Sequence, residues 1–122
     1  MTDYLDTEDA LIIAEEIGLV VRDPGLLAGA VARPAASAFG ADAYDTLARK
    51  VAALIEGINR NHPLLDGNKR LSWVCAVVFA RLNEAELRAE QSQTDTTIRQ
   101  VAGREVSLDH LTAWVEDHLR LM

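Results

Sequence analysis

Apolar residues recur at helical spacing in six stretches of the chain. Residues three and four apart are neighbours on a helix, so this repeat predicts amphipathic helices that each bury one face. Capping residues mark the ends, with Asp6 or Thr7 and Ser107 as N-caps and Gly18 and Gly103 beyond C-termini. The pattern predicts helices over residues 7–17, 26–31, 44–60, 71–82, 95–102 and from 107 onward.

The stretch from Leu71 to Leu82 is apolar at nearly every position. A helix that is apolar all round is buried on most sides, so we predict this one at the centre of the fold. One short strand is expected over Glu86–Ala89. The last helix is predicted to turn four apolar residues inward: Leu108, Leu111, Val115 and Leu119. The predicted fold is all-α, a compact helical bundle around a buried central helix, in a single domain over residues 1–122.

Two connections lack the helical repeat. Residues 19–25, LVVRDPG, predict a short extended piece and a turn, because Asp-Pro-Gly breaks helices. Pro34 ends the second helix, since a residue before proline avoids the helical region. The small residues of PAASAFGADAY, 34–44, then predict a mobile flap.

Composition narrows the functional classes. A single cysteine, Cys75, excludes a disulfide framework and has no partner for a metal-binding motif. The N-terminus is acidic where a signal peptide would be basic, and no apolar run is long enough to cross a bilayer. We therefore expect a soluble, cytoplasmic protein with no membrane interaction.

Charge is unevenly distributed along the chain. The net charge of −7 makes broad binding to nucleic-acid phosphates a poor hypothesis, so we expect no direct nucleic-acid partner. For the same reason Trp73 and Trp114 are predicted to pack in the protein rather than stack on bases. Residues 49–81, however, carry six cations and two acidic residues, a local charge of +4. Such a basic island suits a small anionic ligand.

The stretch HPLLDGNKR, residues 62–70, places Lys69 and Arg70 where a helix begins. A helix N-terminus is partially positive and repels cations, so local stability would favour acidic residues there. In one interpretation Asn68 or Asp66 caps the helix and both cations point into water. In the other, free N–H groups and the two cations converge on a phosphate, which Gly67 lets the backbone approach closely.

Two further side chains of this stretch fit the second interpretation. Asp66 could bind Mg²⁺, which is held by one or two carboxylates plus phosphate oxygens, although a capping or turn role is equally open. His62 could act as a general base, or it could be an ordinary turn residue before proline. A base, a metal carboxylate, a glycine turn and a cationic helix start within nine residues indicate phosphate chemistry on a nucleotide, with a hydroxyl acceptor.

These nine residues resemble the signature of the Fic/Doc family. That signature runs His, any residue, Phe, any residue, Asp, Glu or Asn, Gly or Ala, Asn, and then Gly-Arg or Lys-Arg. The one departure is Leu64, where the family usually has a phenylalanine that anchors the loop in the core. The segment VRDPGLLAGAVARP and the helix that runs into NRNHP extend the resemblance to Doc-branch toxins over most of the chain.

The resemblance implies a reaction. Family members that transfer AMP have glycine after the asparagine and a second arginine later, and here those places hold Lys69 and Trp73. The lysine of the Doc branch implies that ATP binds in the reverse direction and offers its γ-phosphate. The implied activity is a Ser/Thr protein kinase that uses ATP and Mg²⁺, acts on elongation factor Tu and inhibits translation. Transfer of AMP or another nucleotide part, and a catalytically idle binding scaffold, remain alternatives.

The resemblance also implies partners and site residues. Because no convincing internal inhibitory helix is present, a cognate antitoxin is implied, with a helix that docks in a groove. Residues 33–39 would form the flap that aligns the target protein. The implied site residues are a catalytic base, a magnesium ligand and four phosphate-binding residues: His62, Asp66, and Gly67, Asn68, Lys69 and Arg70.

Overall fold

The computed structural model describes all 122 residues as six α-helices and two small antiparallel sheets. The helices are α1 Thr7–Glu16, α2 Pro24–Ala32, α3 Leu47–Asn61, α4 Asn68–Leu82, α5 Gln91–Ala102 and α6 Leu108–His118. The strands are β1 Ser37–Ala38, β2 Ala41–Asp42, β3 Ala85–Leu87 and β4 Leu119–Leu121. A short 3-10 helix, Arg33–Ala35, follows α2. The all-α prediction is therefore right for the bulk of the chain and incomplete at the sheets.

Side-chain caps define where four of the helices begin. At the start of α1 the Asp6 side chain accepts from the Asp9 N–H. The Asp9 side chain in turn accepts from the Asp6 N–H, and the two bonds form a capping box. Asp23, Thr46 and Ser107 cap α2, α3 and α6, each by a side-chain oxygen that accepts one N–H of the first turn. These bonds satisfy N–H groups that a helix cannot pair internally.

The second sheet corrects the predicted end of the last helix. β3 pairs with β4, with Ala85 opposite Leu121 and Leu87 opposite Leu119. Leu119 therefore lies in a strand, not on the inner face of α6. The pairing joins segments more than thirty residues apart, which helical periodicity along the chain cannot reveal. β3 begins one residue before the predicted strand and ends two residues before its predicted end.

The central helix of the fold is α3, so the prediction that placed residues 71–82 there is wrong. Every residue from Val51 to Asn59 is buried, and α3 packs against α2, α4, α5 and α6. Its small side chains permit this crowding; a Cβ added at Gly57 would lie only 3.4 Å from Ala30 of α2. In α4, by contrast, Val78 and Leu82 remain exposed.

Ion pairs engage three of the six cations of the predicted basic island, Arg49, Lys50 and Arg60. Glu56, 3% exposed, receives Arg33 at 2.6 Å and Arg60 at 3.3 Å. Burial by itself lowers the pKa of Arg33, but its hydrogen bonds to Glu56 and Tyr44 raise it above the usual value for arginine. Lys50 is buried against Asp42, and it also donates to the Tyr44 carbonyl.

Arg49 is likewise engaged, at 2.7 Å from Asp109 of α6. Three of the six cations of residues 49–81 are therefore paired within the fold, and Lys69 and Arg70 are the two that line the candidate site.

The predicted flap is a short β-hairpin. β1 and β2 pair with Ser37 opposite Asp42, and Phe39 and Gly40 form the turn with φ of 54° and 79°. Its residues are exposed, Phe39 completely so. The Asp42–Lys50 ion pair fixes the base of the hairpin to α3. None of the six helices is both long enough and apolar enough to cross a bilayer.

Candidate functional site

The loop between α3 and α4 is held by a second segment of backbone. Leu64 forms an isolated antiparallel bridge with Val21 and its side chain is fully buried. The Pro63 carbonyl accepts from the N–H groups of Arg22 and Asp23, at 3.1 and 3.0 Å. Leucine therefore anchors this loop at the position where the signature usually has phenylalanine.

The Asn68 side chain ties the loop to the histidine. Its Oδ1 accepts from the Leu64 N–H at 2.9 Å, and its Nδ2 donates to the Leu64 carbonyl at 2.8 Å. These two bonds fix the orientation of the amide. The same Nδ2 lies 2.9 Å from Nδ1 of His62. Nδ1 must therefore accept, and in the neutral ring the proton lies on Nε2.

This engagement differs from the predicted phosphate contact of Asn68. The residue is only 5% exposed and its amide is occupied by Leu64 and His62. What it can still offer a phosphate is its backbone N–H. His62 itself ends α3 in a left-handed conformation, with φ 56° and ψ 55°, and its side chain is exposed.

Gly67 is the N-cap of α4, so neither Asn68 nor Asp66 caps this helix as one interpretation required. Its φ of 97° suits glycine, and a Cβ there would lie 2.7 Å from Cδ2 of Leu19. No side chain caps α4, and the first helical bond runs from the Leu71 N–H to the Gly67 carbonyl at 2.9 Å. The N–H groups in the first turn are left available for an anion.

All six predicted site residues line one pocket of about 260 Å³. They are His62, Asp66, Gly67, Asn68, Lys69 and Arg70. Lys69 and Arg70 are exposed, so the only cations of the pocket stand at the uncapped start of α4. The arrangement combines an imidazole, a carboxylate, free backbone donors and two positive charges, which is a chemistry for binding phosphate.

Asn59 also lines this pocket, although it is not among the residues predicted from the sequence. Its Nδ2 donates to the Ile55 carbonyl at 2.9 Å and to Ser72 Oγ at 2.8 Å, while its Oδ1 has no partner. The residue is 6% exposed. A polar residue beside Ile58 in an otherwise apolar stripe was the one signal that could have identified it.

Asp66 fits a magnesium ion that arrives with phosphates. It is exposed at the pocket, and no cluster of three metal-binding side chains occurs in the chain. One carboxylate cannot build a site for Mg²⁺ alone, but one carboxylate plus phosphate oxygens is a usual way to hold this ion.

Comparison with known proteins relates most of the chain to one family. A family model described as the Fic/DOC family matches residues 2–80, which include the whole pocket except Ala102. A protein named Toxin Doc, from Mycolicibacterium smegmatis (strain ATCC 700084 / mc(2)155), is 45% identical over 118 residues. That match covers 93% of this chain and 91% of the relative.

Proposed function

Because the chain belongs to the Fic/Doc family, we propose that it is the toxin of a toxin–antitoxin pair and that it acts as a protein kinase. It transfers the γ-phosphate of ATP to a Ser or Thr hydroxyl of a translation factor of the elongation factor Tu type, and so inhibits protein synthesis. The observation that carries the proposal is the single pocket in which His62 and Asp66 face the uncapped, cationic start of α4.

The start of α4 supplies the phosphate site. Backbone N–H groups of its first turn point toward an anion, and the helix dipole adds to the field of Lys69 and Arg70. Arginine can hold two phosphate oxygens at once, whereas lysine acts as a point charge. These groups stabilise the charge that spreads over the transferred phosphoryl group.

His62 receives the proton of the acceptor hydroxyl. The hydroxyl oxygen forms a bond to the γ-phosphorus, the bond from that phosphorus to the β-phosphate oxygen breaks, and ADP leaves. In the free protein the Nδ1 lone pair of His62 faces Asn68. The imidazole must therefore turn away from Asn68 before the Nδ1 lone pair can accept the hydroxyl proton.

Asp66 would hold Mg²⁺ together with phosphate oxygens. The bound ion would supply positive charge that offsets the charge of the phosphates. Asp66 is the carboxylate of the pocket, so Asp66→Asn should lower phosphate transfer. The substitution should leave the fold intact, because the side chain is exposed.

Lys69 favours γ-phosphate over AMP transfer. The family resemblance implies that lysine at this place reverses the nucleotide, and Trp73 stands where AMP-transferring members have a second arginine. The fully buried Leu64 supports an active enzyme over an idle scaffold, because the loop keeps its anchor.

The partners follow from the same family. A cognate antitoxin would silence the site with a helix docked in a groove. The exposed β1–β2 hairpin offers unpaired strand edges to which a segment of the target could add as a strand. Phe39 at its tip is free to contact an apolar residue of the target.

The test uses ATP labelled at either the α- or the γ-phosphate. Purified protein with Mg²⁺ is incubated with bacterial extract and with purified elongation factor Tu, beside His62→Ala. The control is His110→Ala, which removes an exposed histidine from α6. We expect label to move only from the γ position and only when His62 is present. Transfer of the α-label would make the protein an AMP transferase, and no transfer from either would favour the binding scaffold.

A further inference from the structure

A second and larger cavity opens beside the candidate site. It has a volume of about 580 Å³ and lies between α4 and α5. We call it the α4–α5 groove. Lys69 and Arg70 line both the groove and the smaller pocket, so the two spaces meet at the start of α4.

The groove has an aromatic wall. Trp73 lies one helical turn after Lys69 and Arg70 and lines the groove. Its ring packs edge-on against Trp114 of α6, with ring centroids 6.0 Å apart and an angle of 64°. This contact holds the indole in place while part of it remains accessible. Ile98 of α5 adds a buried aliphatic surface.

The opposite wall is polar and the groove is positively charged. Gln91, Thr94 and Asp95 of α5 bring hydrogen-bonding groups to it. Arg99 joins Lys69 and Arg70, so three cations face one carboxylate. A flat apolar surface, polar groups along one side and a cationic end are the features that a nucleoside attached to phosphates requires.

We propose that the α4–α5 groove binds the nucleoside of ATP, with the base against Trp73. This inference rests on the proposed function, because the phosphates must lie at the start of α4. The smaller pocket is mostly polar and suits phosphates, whereas a base needs the apolar wall that only the groove provides. Trp73 is thus a ligand-binding residue as well as a packing residue.

The position of the base determines the direction of the nucleotide. A triphosphate that starts near Trp73 and passes Lys69 and Arg70 ends at His62 and Asp66. Its terminal phosphate is then the one nearest the base that accepts the hydroxyl proton. The groove therefore gives a structural reason for γ-phosphate transfer.

The experiment compares ATP with inorganic triphosphate, which lacks a nucleoside. Affinities with Mg²⁺ are measured by calorimetry for the full chain, for Trp73→Ala and for Trp73→Phe. We expect Trp73→Ala to weaken ATP by about tenfold and to leave triphosphate within about twofold, because only the stacked base is lost. Trp73→Phe should retain most of the ATP affinity, since a phenyl ring still offers a stacking face.

Two more variants protect the test from a folding artefact. Gln91→Trp changes an exposed residue and fills the groove from its rim, and it should weaken ATP but not triphosphate. Val78→Ala truncates an apolar residue of the same helix outside both cavities, and it should change neither affinity.

Equal affinity of the full chain for ATP and triphosphate would overturn the inference. It would also be overturned if neither Trp73→Ala nor Gln91→Trp weakened ATP binding. Gln91→Trp that leaves ATP binding intact but abolishes neutralisation by the antitoxin would assign the groove to the antitoxin helix instead. If ATP binding depends on Trp73 but no label is transferred, the kinase proposal is wrong and the inference about the groove stands. If Trp73→Ala leaves γ-label transfer unchanged, the inference about the groove is wrong and the kinase proposal stands.

Discussion

At the scale of single residues, the Asn68 amide links the loop conformation to the state of the histidine. Its three contacts, two to Leu64 and one to His62, use both of its polar atoms. A buried amide with this many partners is expensive to replace, because each partner left behind loses its hydrogen bond in the interior.

Asn68→Asp keeps the shape of the side chain but removes its donor. We expect the free energy of unfolding to fall by about 1–3 kcal/mol, because the Leu64 carbonyl loses its partner. The carboxylate should also draw the His62 proton from Nε2 to Nδ1, which ¹⁵N NMR of the imidazole can measure. The matched control is Asn61→Asp, which loses one exposed bond to the Leu26 carbonyl and should cost less. A ring that carries its proton on Nδ1 in the unsubstituted protein would contradict this account.

Gly67 combines a conformational requirement with a close contact. Gly67→Ala adds a Cβ at a φ of 97° and within 3 Å of two Leu19 carbon atoms. Gly18→Ala is the matched control, because its φ of 77° imposes a similar strain with nothing within 4 Å. We expect the control to lose about 1–2 kcal/mol in urea unfolding and Gly67→Ala to lose more. Equal losses would show that Leu19 moves aside freely.

Cys75 should make stability depend on alkaline pH. Burial raises the pKa of its thiol from 9.0 to about 12. Between these values the unfolded chain has lost the proton and the folded chain has kept it, so stability falls as pH rises through this range. We expect the stability difference between the unsubstituted protein and Cys75→Ala to narrow from pH 9 to pH 12, as measured by urea unfolding. A constant difference would be inconsistent with a buried thiol of raised pKa.

At the scale of the elements, α4 begins in a way that lowers its own stability. Four other helices begin with a capping side chain, but α4 begins with Gly67, no side-chain cap and two cations in its first turn. The helix dipole disfavours those cations until an anion binds between them. Under the proposed function, phosphates bound at this helix start would therefore stabilise α4.

Lys69→Gln and Arg70→Gln should each stabilise the free protein by about 0.3–1 kcal/mol, because a repulsive charge is removed from the helix start. Arg81→Gln is the control, since Arg81 lies in the last turn of the same helix, where a cation is favourable, and its loss should destabilise. With inorganic triphosphate present, the unsubstituted protein should unfold at a higher temperature than the Lys69 and Arg70 variants. If both substitutions destabilised the protein without ligand, Lys69 and Arg70 would be shown to stabilise the fold.

The sequence predicted the elements far better than their arrangement. Helical periodicity located all six helices, although α4 begins three residues and α5 four residues before their predicted starts, because their first turns are polar. The six predicted site residues lie within one short stretch, so a single loop brings them to one pocket. Asn59 and the α5 side of the groove come from separate helices, and only tertiary packing brings them to the site.

At the scale of the whole molecule, the core is organised around small residues rather than the most apolar segment. α3 carries Ala52, Ala53 and Gly57 among its buried positions and is surrounded by four other helices. Hydrophobicity measured along the chain favoured α4 for this place. Close approach of backbones depends on side-chain volume, which a binary pattern of apolar and polar residues does not record.

Hydrogen exchange can test which helix is central. Amides from Val51 to Asn59 should exchange only through global unfolding, because this segment is buried throughout. The C-terminal turns of α4, near the exposed Val78 and Leu82, should exchange faster through local opening. Exchange measured residue by residue under native conditions would contradict this picture if α4 outlasted α3.

The carboxylate of Glu56 also constrains how this protein can evolve. It balances Arg33, which precedes the hairpin, and Arg60, which lies one half-turn before His62 and has a buried Nε without a partner. Replacing Glu56 alone removes the carboxylate that pairs with both guanidinium groups. In a library that varies positions 33, 56 and 60 together, tolerated sequences should be correlated combinations, and single changes at 56 should be the rarest survivors. Sequence change at the base of the hairpin is thereby coupled to sequence change at the end of α3, next to the loop of the candidate site.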